Sequence, residues 1–154
     1  MTMREKAAWI LVTVSLAIFG WYFWSVWTDH AVRALDGDAL FWRFLWCAGL
    51  AIAIMLPAAL LAAWLGKQQF DPPPDELEIR IENNANRFGL ALLEVSLVGI
   101  VLLSKAVTDI ARTDYAADPA GATAVMLVNL VLLATASAGV VREIIVIIQY
   151  RRYA

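Results

Sequence analysis

Five ionisable or strongly polar side chains lie within stretches of this sequence that are otherwise apolar: Glu94, Lys105, Asn129, Arg142 and Glu143. Ionisable groups in the apolar core of a membrane are costly, and they usually face the protein interior with a partner. Glu94 and Arg142 have opposite charges, so an ion pair is the first interaction that the sequence suggests. A lone membrane glutamate could instead carry a proton or a cation, as one does in small drug exporters.

The positions of Glu94 and Arg142 along their apolar runs favour the ion pair. Glu94 lies about two helical turns after the start of the third run, and Arg142 lies about two turns before the end of the fourth. Neighbouring helices joined by a short loop are antiparallel, so the two charges fall at the same depth. We therefore predict an interhelical Glu94–Arg142 pair, with Glu143 as an alternative or additional partner.

Lys105 and Asn129 extend this pattern toward the other end of the two runs. Lys105 lies on the helical face of Glu94, and Asp109 follows at i+4, a spacing that permits pairing. Asn129 lies at a matching depth on the fourth run. Together with the charged residues above, they predict a polar seam between the third and fourth helices. Groups that neutralise one another favour a structural seam, and a conducting pathway is the alternative.

The sequence offers no pattern typical of catalysis. It has no Ser or Cys nucleophile beside a base, no glycine-rich phosphate loop and no facing pair of carboxylates. One cysteine (Cys47) and one histidine (His30) exclude a zinc site of the usual ligands and a haem held by two histidines. The net charge of −2 and the lack of a basic stripe argue against nucleic acid as a partner. We predict a non-enzymatic protein without cofactor or metal.

The sequence contains four apolar runs, and each has roughly the 20 apolar residues that a spanning helix needs. The polar residues of the predicted seam lie in the third and fourth runs. The runs are Lys6–Trp27, Ala39–Leu65, Arg87–Arg112 and Ala122–Gln149. A mean hydropathy of +0.69 and 62% hydrophobic residues exclude an ordinary soluble domain. The predicted fold is an all-α, integral membrane four-helix bundle that occupies all 154 residues as one domain. The first run is too long for the apolar part of a secretory signal, so we expect it to be retained.

Basic residues decide which side of the membrane faces the cytoplasm. The side of the termini and of the Gly66–Asn86 loop carries Arg4, Lys6, Lys67, Arg80, Arg87, Arg142, Arg151 and Arg152. The other side carries Arg33, Arg43, Lys105 and Arg112. The excess predicts that both termini and this loop are cytoplasmic.

The Gly66–Asn86 loop contains the start of a further helix. Pro72-Pro73-Pro74 fixes an extended backbone and prevents an earlier start. Asp75, with Glu78 three residues later, resembles a capping box. Because no helix-breaking residue follows before the membrane, the pattern predicts one helix from Asp75 to about Ala111. The third helix thus has a cytoplasmic extension.

An apolar stripe on this extension is a candidate docking surface. Leu77, Ile81 and Ala85 recur at i, i+4 and i+8, which places them on one helical face. An apolar stripe outside the membrane needs a covering surface. The stripe therefore predicts a protein partner, and the alternative is packing on the chain's own inner loop or on the lipid surface.

The segment from Asp75 to Gly89 resembles a juxtamembrane segment of small, mostly uncharacterised bacterial inner-membrane proteins, which carry an Asp-Glu-Arg-Asp element, then Ile-Glu, Ala and Arg-x-Gly. The matching residues are Asp75, Glu76, Ile81, Glu82, Ala85, Arg87 and Gly89. Leu77 and Glu78 depart from the pattern, where Arg and Asp are expected. The resemblance covers about a tenth of the chain. It implies a bacterial four-helix inner-membrane protein that accompanies a regulator, without established chemistry.

Two functional hypotheses follow. The first is an interaction protein in the bacterial inner membrane, a regulatory or accessory subunit that binds a protein partner through its extension and its spans, or forms a homo-oligomer. The second is a small oligomeric transporter or channel component that uses Glu94 and the polar seam. The lipid bilayer is a partner in both cases.

Overall fold

The computed structural model describes residues 2–67 and 75–153, and the regular structure in these ranges is helical. The four α-helices are α1 (Met3–Ala31), α2 (Gly37–Leu65), α3 (Glu76–Asp114) and α4 (Pro119–Tyr153). All four are long and apolar enough to cross a membrane. The prediction of four helices that could span a bilayer is thereby confirmed.

Side-chain caps mark where the helices begin, that of α4 being Asp118. The side chain of Thr2 accepts a hydrogen bond from the backbone N–H of Glu5, and Asp36 caps α2 in the same manner. Asp75 Oδ1 accepts from the N–H of Glu78 at 2.7 Å. These bonds satisfy backbone donors that a first helical turn leaves free.

The third helix is continuous, as predicted. It contains 39 residues, which at 1.5 Å per residue gives about 58 Å. A hydrocarbon core is only about 30 Å thick, so α3 is much longer than a single span requires. The predicted block to an earlier start, Pro72-Pro73-Pro74, lies outside the described residues.

The helices pack in the order α2, α1, α4, α3. Helix α4 packs against both α3 and α1, and α1 packs against both α4 and α2. Helix α2 also makes a few contacts with α4. In the described ranges the backbones of α2 and α3 do not approach each other closely. The central helices are therefore α1 and α4, and α3 is an edge helix.

We use the name terminal end for the end of the helices where α1 begins and α4 finishes, and loop end for the opposite one. The main buried cluster lies at the terminal end and joins three helices. Its members are Ala8 and Val12 of α1, Ile81 and Ala85 of α3, and Val146, Ile147 and Tyr150 of α4. The extension of α3 is thus not a free rod. It packs here because α4 continues to Tyr153 and supplies a surface along it.

Candidate functional site

The predicted docking stripe is mostly inside the protein. Ile81 and Ala85 are both 0% exposed and belong to the three-helix cluster, while Leu77 is 40% exposed. The prediction of a partner-binding stripe is therefore wrong for Ile81 and Ala85. The alternative was right in kind, since the stripe packs on the chain itself, but the surface that covers it comes from α1 and α4.

A network of charges surrounds Arg4 at the terminal end. Arg4 Nε lies 2.6 Å from Glu82 Oε1 of α3, and its NH1 lies 3.0 Å from Glu143 Oε2 of α4. Glu143 is only 1% exposed, so its negative charge is buried. A buried carboxylate is tolerated when it is paired and hydrogen-bonded. Arg4 therefore ties α1 to both α3 and α4.

A second arginine shares the same carboxylate. Arg142 NH1 lies 2.8 Å from Glu143 Oε1, and its Nε donates a hydrogen bond to Asn86 Oδ1 of α3. At the edge of the network, Arg151 Nε lies 3.3 Å from Glu5 Oε1. Glu143 was the predicted alternative partner of Arg142, and the structure shows that contact.

The predicted Glu94–Arg142 pair is not formed. The two residues lie on different sides of the α3–α4 contact, because α4 approaches α3 at Gly89, where an added Cβ would lie 3.2 Å from Arg142 Cβ. At 100° per residue, Glu94 lies about 140° around the helix from Gly89. Its side chain is exposed, and no ion pair or hydrogen bond to it is formed within residues 2–67 and 75–153. Equal depth was therefore not sufficient for pairing.

The predicted polar seam between α3 and α4 is not formed. Of its members, Arg142 contacts α3, whereas the others have different surroundings. Asn129 is 9% exposed and accepts a hydrogen bond from the Tyr22 hydroxyl of α1 at 2.8 Å. Lys105 is exposed, and Asp109 lies 3.8 Å from Arg112 rather than beside Lys105. Asn129 and Glu143 both meet α1, so the polar contacts concentrate between α1 and α4.

The residues that organise the charge network were not singled out from sequence. Arg4, Glu5 and Glu82 lie near the limits of the predicted spans. In the sequence argument Arg4 contributes only to the orientation, Glu82 only to the resemblance, and Glu5 to neither. A usable signal was present, since both signs of charge occur at the same end of three helices. Opposite charges that converge at one depth favour pairing when the helices are neighbours.

The loop end is held by contacts of the end of α1 and the turn after it with the end of α3 and the residue that follows it. Arg33 NH2 lies 3.1 Å from Asp114 Oδ1, and the His30 ring Nδ1 lies 2.9 Å from the Tyr115 hydroxyl. Burial raises the pKa of Tyr115 above its usual value, and the neighbouring Asp114 raises it further. The Tyr115 phenol therefore stays protonated near neutral pH and remains available for hydrogen bonding.

The outward face of α3, which we define as Leu90, Glu94, Val98, Val101 and Lys105, is uncovered. All of these residues are exposed, with Val98 at 60% and Val101 at 70%. None of the residues in the most apolar 18-residue stretch of α3 is buried, whereas 17% are buried in the corresponding stretches of α1 and α4. The face thus combines apolar surface with two opposite charges.

Comparison with known proteins gives no relative from which a function could be transferred. No protein-family model, no curated protein and no solved structure matches this chain.

Proposed function

We propose that this chain is a non-enzymatic accessory subunit of a membrane complex, inserted in the bacterial inner membrane as a four-helix bundle with both termini in the cytoplasm. Its partner is another membrane protein, and the contact is made by the outward face of α3. The proposal keeps the predicted interaction role but assigns it to a different surface from the Leu77/Ile81/Ala85 stripe, because Ile81 and Ala85 are buried.

The observation that carries the proposal is the position of Glu94. Its carboxyl group lies on the side of α3 away from α4, with exposed apolar residues around it. In an inserted monomer this group would face lipid, where a charged side chain is costly. A covering helix that supplies a cation removes this cost. The position of Glu94 therefore favours a helix of another molecule packed against this face.

The charges also favour one kind of neighbour. Glu94 and Lys105 are eleven residues apart in the sequence, or about 16 Å along a helix. A second copy in the same orientation would place Glu94 opposite Glu94 and Lys105 opposite Lys105, which is repulsive. A spanning helix of a different protein, with a basic residue level with Glu94 and an acceptor level with Lys105, is complementary at both positions.

Photo-crosslinking in native membranes tests the proposal. A crosslinking amino acid at Val98, on the outward face, should give an adduct with a second membrane protein. The matched control is Ile52 on α2, which is 65% exposed and should not give this adduct. Glu94→Lys should abolish the adduct, because it places a cation opposite the partner's cation.

Two outcomes would reject the accessory-subunit proposal. One is the absence of any adduct at Val98 while the protein is inserted and expressed normally. The other is an adduct that contains only copies of this chain, which would favour the small oligomeric transporter or channel component. In that case Glu94→Gln should abolish proton-coupled transport without separating the copies.

The orientation is tested separately by reporter fusions at Ala154 and Ala117. The excess of Lys and Arg at the terminal end supports a cytoplasmic location for Ala154 and a periplasmic one for Ala117. Alkaline phosphatase should be active only when fused at Ala117. Activity at Ala154 would reverse the assignment.

A further inference from the structure

A polar groove lies at the terminal end between the extension of α3 and the last turns of α4. It has a volume of about 530 Å³, and its lining residues are Glu76, Ile79, Arg80, Asn83, Asn84, Arg87, Gln149 and Tyr153. The groove is separate from the charge network around Arg4, which shares none of these residues. Nor does it belong to the outward face of α3 defined above.

The groove contains two arginines that have no ion pair among the described residues. Arg80 and Arg87 make no ion pair or side-chain hydrogen bond within the described ranges, whereas Arg4, Arg142 and Arg151 all bind carboxylates there. The two arginines are seven residues apart, so they lie on nearly the same face of α3. Their guanidinium groups can reach the same volume from its two ends.

Neutral hydrogen-bonding groups lie among these two charges. Asn83, Asn84, Gln149 and Tyr153 add amide and hydroxyl donors to the lining. Guanidinium groups match phosphate oxygens in geometry and charge, and several donors around one anion are typical of phosphate sites. Glu76 also lines the groove, so the charged side chains of the lining sum to +1.

The depth of the groove corresponds to the membrane boundary. Arg87 is the predicted limit of the third span, and Arg80 is about 10 Å further from the membrane along the helix. The headgroup layer on each side of a bilayer is roughly 5–7 Å thick. It therefore fits within the axial distance between Arg80 and Arg87. Leu90, one turn further into the span, is 57% exposed and offers an apolar surface beside the groove.

We propose that Arg80 and Arg87 together bind one phosphate group in this groove. Two sources have this chemistry: the headgroup of an anionic phospholipid and a soluble phosphate ester. Basic pockets between spanning helices are suited to lipid headgroups. The site is independent of the partner that binds the outward face of α3.

Native mass spectrometry of the full chain in mild detergent tests the site. Phosphatidylglycerol is titrated against phosphatidylcholine, and the dissociation constant of the first bound lipid is compared. The parent protein should prefer phosphatidylglycerol by about tenfold or more, since phosphatidylcholine has the same phosphate but adds a choline cation that the two arginines repel. The double variant Arg80→Gln/Arg87→Gln should lose this preference.

A charge-matched control separates a site from general surface attraction. Lys67→Gln/Arg152→Gln removes the same number of positive charges from exposed positions at the same end, outside the groove. This variant should keep the preference. An equal loss in both double variants, or a loss in neither, would overturn the phosphate site. Circular dichroism and a single elution peak confirm that each variant is folded.

A second arm identifies the source of the phosphate. Inorganic phosphate and glycerol 3-phosphate, each at 100-fold excess over lipid, are added to the parent protein with phosphatidylglycerol bound. Retention of the lipid supports a membrane ligand. Displacement of the lipid, sensitive to Arg80→Gln/Arg87→Gln, supports a soluble phosphate ester and overturns the lipid as the source.

Discussion

Two carboxylates on neighbouring helices have opposite surroundings. Glu143 on α4 is 1% exposed and contacts Arg4 and Arg142, whereas Glu94 on α3 is exposed and has no such contact within the described ranges. The difference follows from the packing order of the helices. Helix α4 packs between α1 and α3. Helix α3 packs against α4, and among the described residues no other helix packs along it. The acidic residue on α4 is therefore paired internally, and the one on the outer side of α3 is not paired among the described residues.

The comparison predicts the largest effect at Glu143. Replacing Glu143 with Ala leaves Arg4 and Arg142 without their shared carboxylate. Removing one partner of a buried pair costs about 3–5 kcal/mol. The free energy of unfolding, measured by denaturant titration in mild detergent micelles, should fall by this order.

A double variant sharpens the same prediction. Arg4→Met with Glu143→Leu removes the buried carboxylate and one arginine together and substitutes apolar groups of similar size. It should recover part of the loss, because removing one positive and one negative charge together leaves the net charge of the network as in the parent. A loss under about 1 kcal/mol for Glu143→Ala alone would show that the network is solvated rather than buried.

A smaller effect is expected where α4 approaches α3. Gly89→Leu should lower the free energy of unfolding by about 1–3 kcal/mol, since a Cβ there would lie 3.2 Å from Arg142 Cβ. Gly99→Leu is the matched control on the same helix, because a Cβ at Gly99 meets nothing within 4 Å. Equal losses of unfolding free energy in the two variants would show that the close contact between α3 and α4 is not at Gly89.

The hydrogen bond between α1 and α4 gives a still smaller effect. Tyr22→Phe removes the donor to Asn129 Oδ1 but leaves the Asn129 amide bonded to the Val125 carbonyl. Interhelical hydrogen bonds in membrane proteins contribute about 0.6 kcal/mol on average. The unfolding free energy should fall by about 0.5–1.5 kcal/mol. Tyr153→Phe, at a 58% exposed position, is the control and should change it by less.

The sequence was sufficient to predict the helices but not which face of each helix contacts its neighbour. Apolar length, the Asp75 cap and the lack of breakers before the membrane predicted four spanning-length helices and the continuous α3, because these depend on local properties. Pairing of side chains depends on which face of each helix meets which neighbour. The contacting faces are determined by the packing of the whole chain.

Gly89 illustrates what could have been inferred. The smallest residues on α3 mark the face on which another helix can come close, and Ala85 and Gly89 lie on that face with Ile81. Had this face been assigned to α4, Glu94 would have been placed on the opposite side. The packing order itself, with α1 beside α4 and α3 at the edge, has no comparable signal in the sequence.

The smallest effect on the isolated protein is expected at Glu94. Glu94→Leu removes a carboxyl group that makes no ion pair or hydrogen bond within residues 2–67 and 75–153, so the unfolding free energy of the purified chain should change by less than about 0.5 kcal/mol. The same variant in native membranes should lose the Val98 adduct, because the partner's cation no longer has a counter-charge. Glu143→Leu should show the reverse order, with a large loss of stability in the purified chain. A loss above about 1 kcal/mol for purified Glu94→Leu would mean that Glu94 is paired within its own chain, and the contrast between the two carboxylates would then be incorrect.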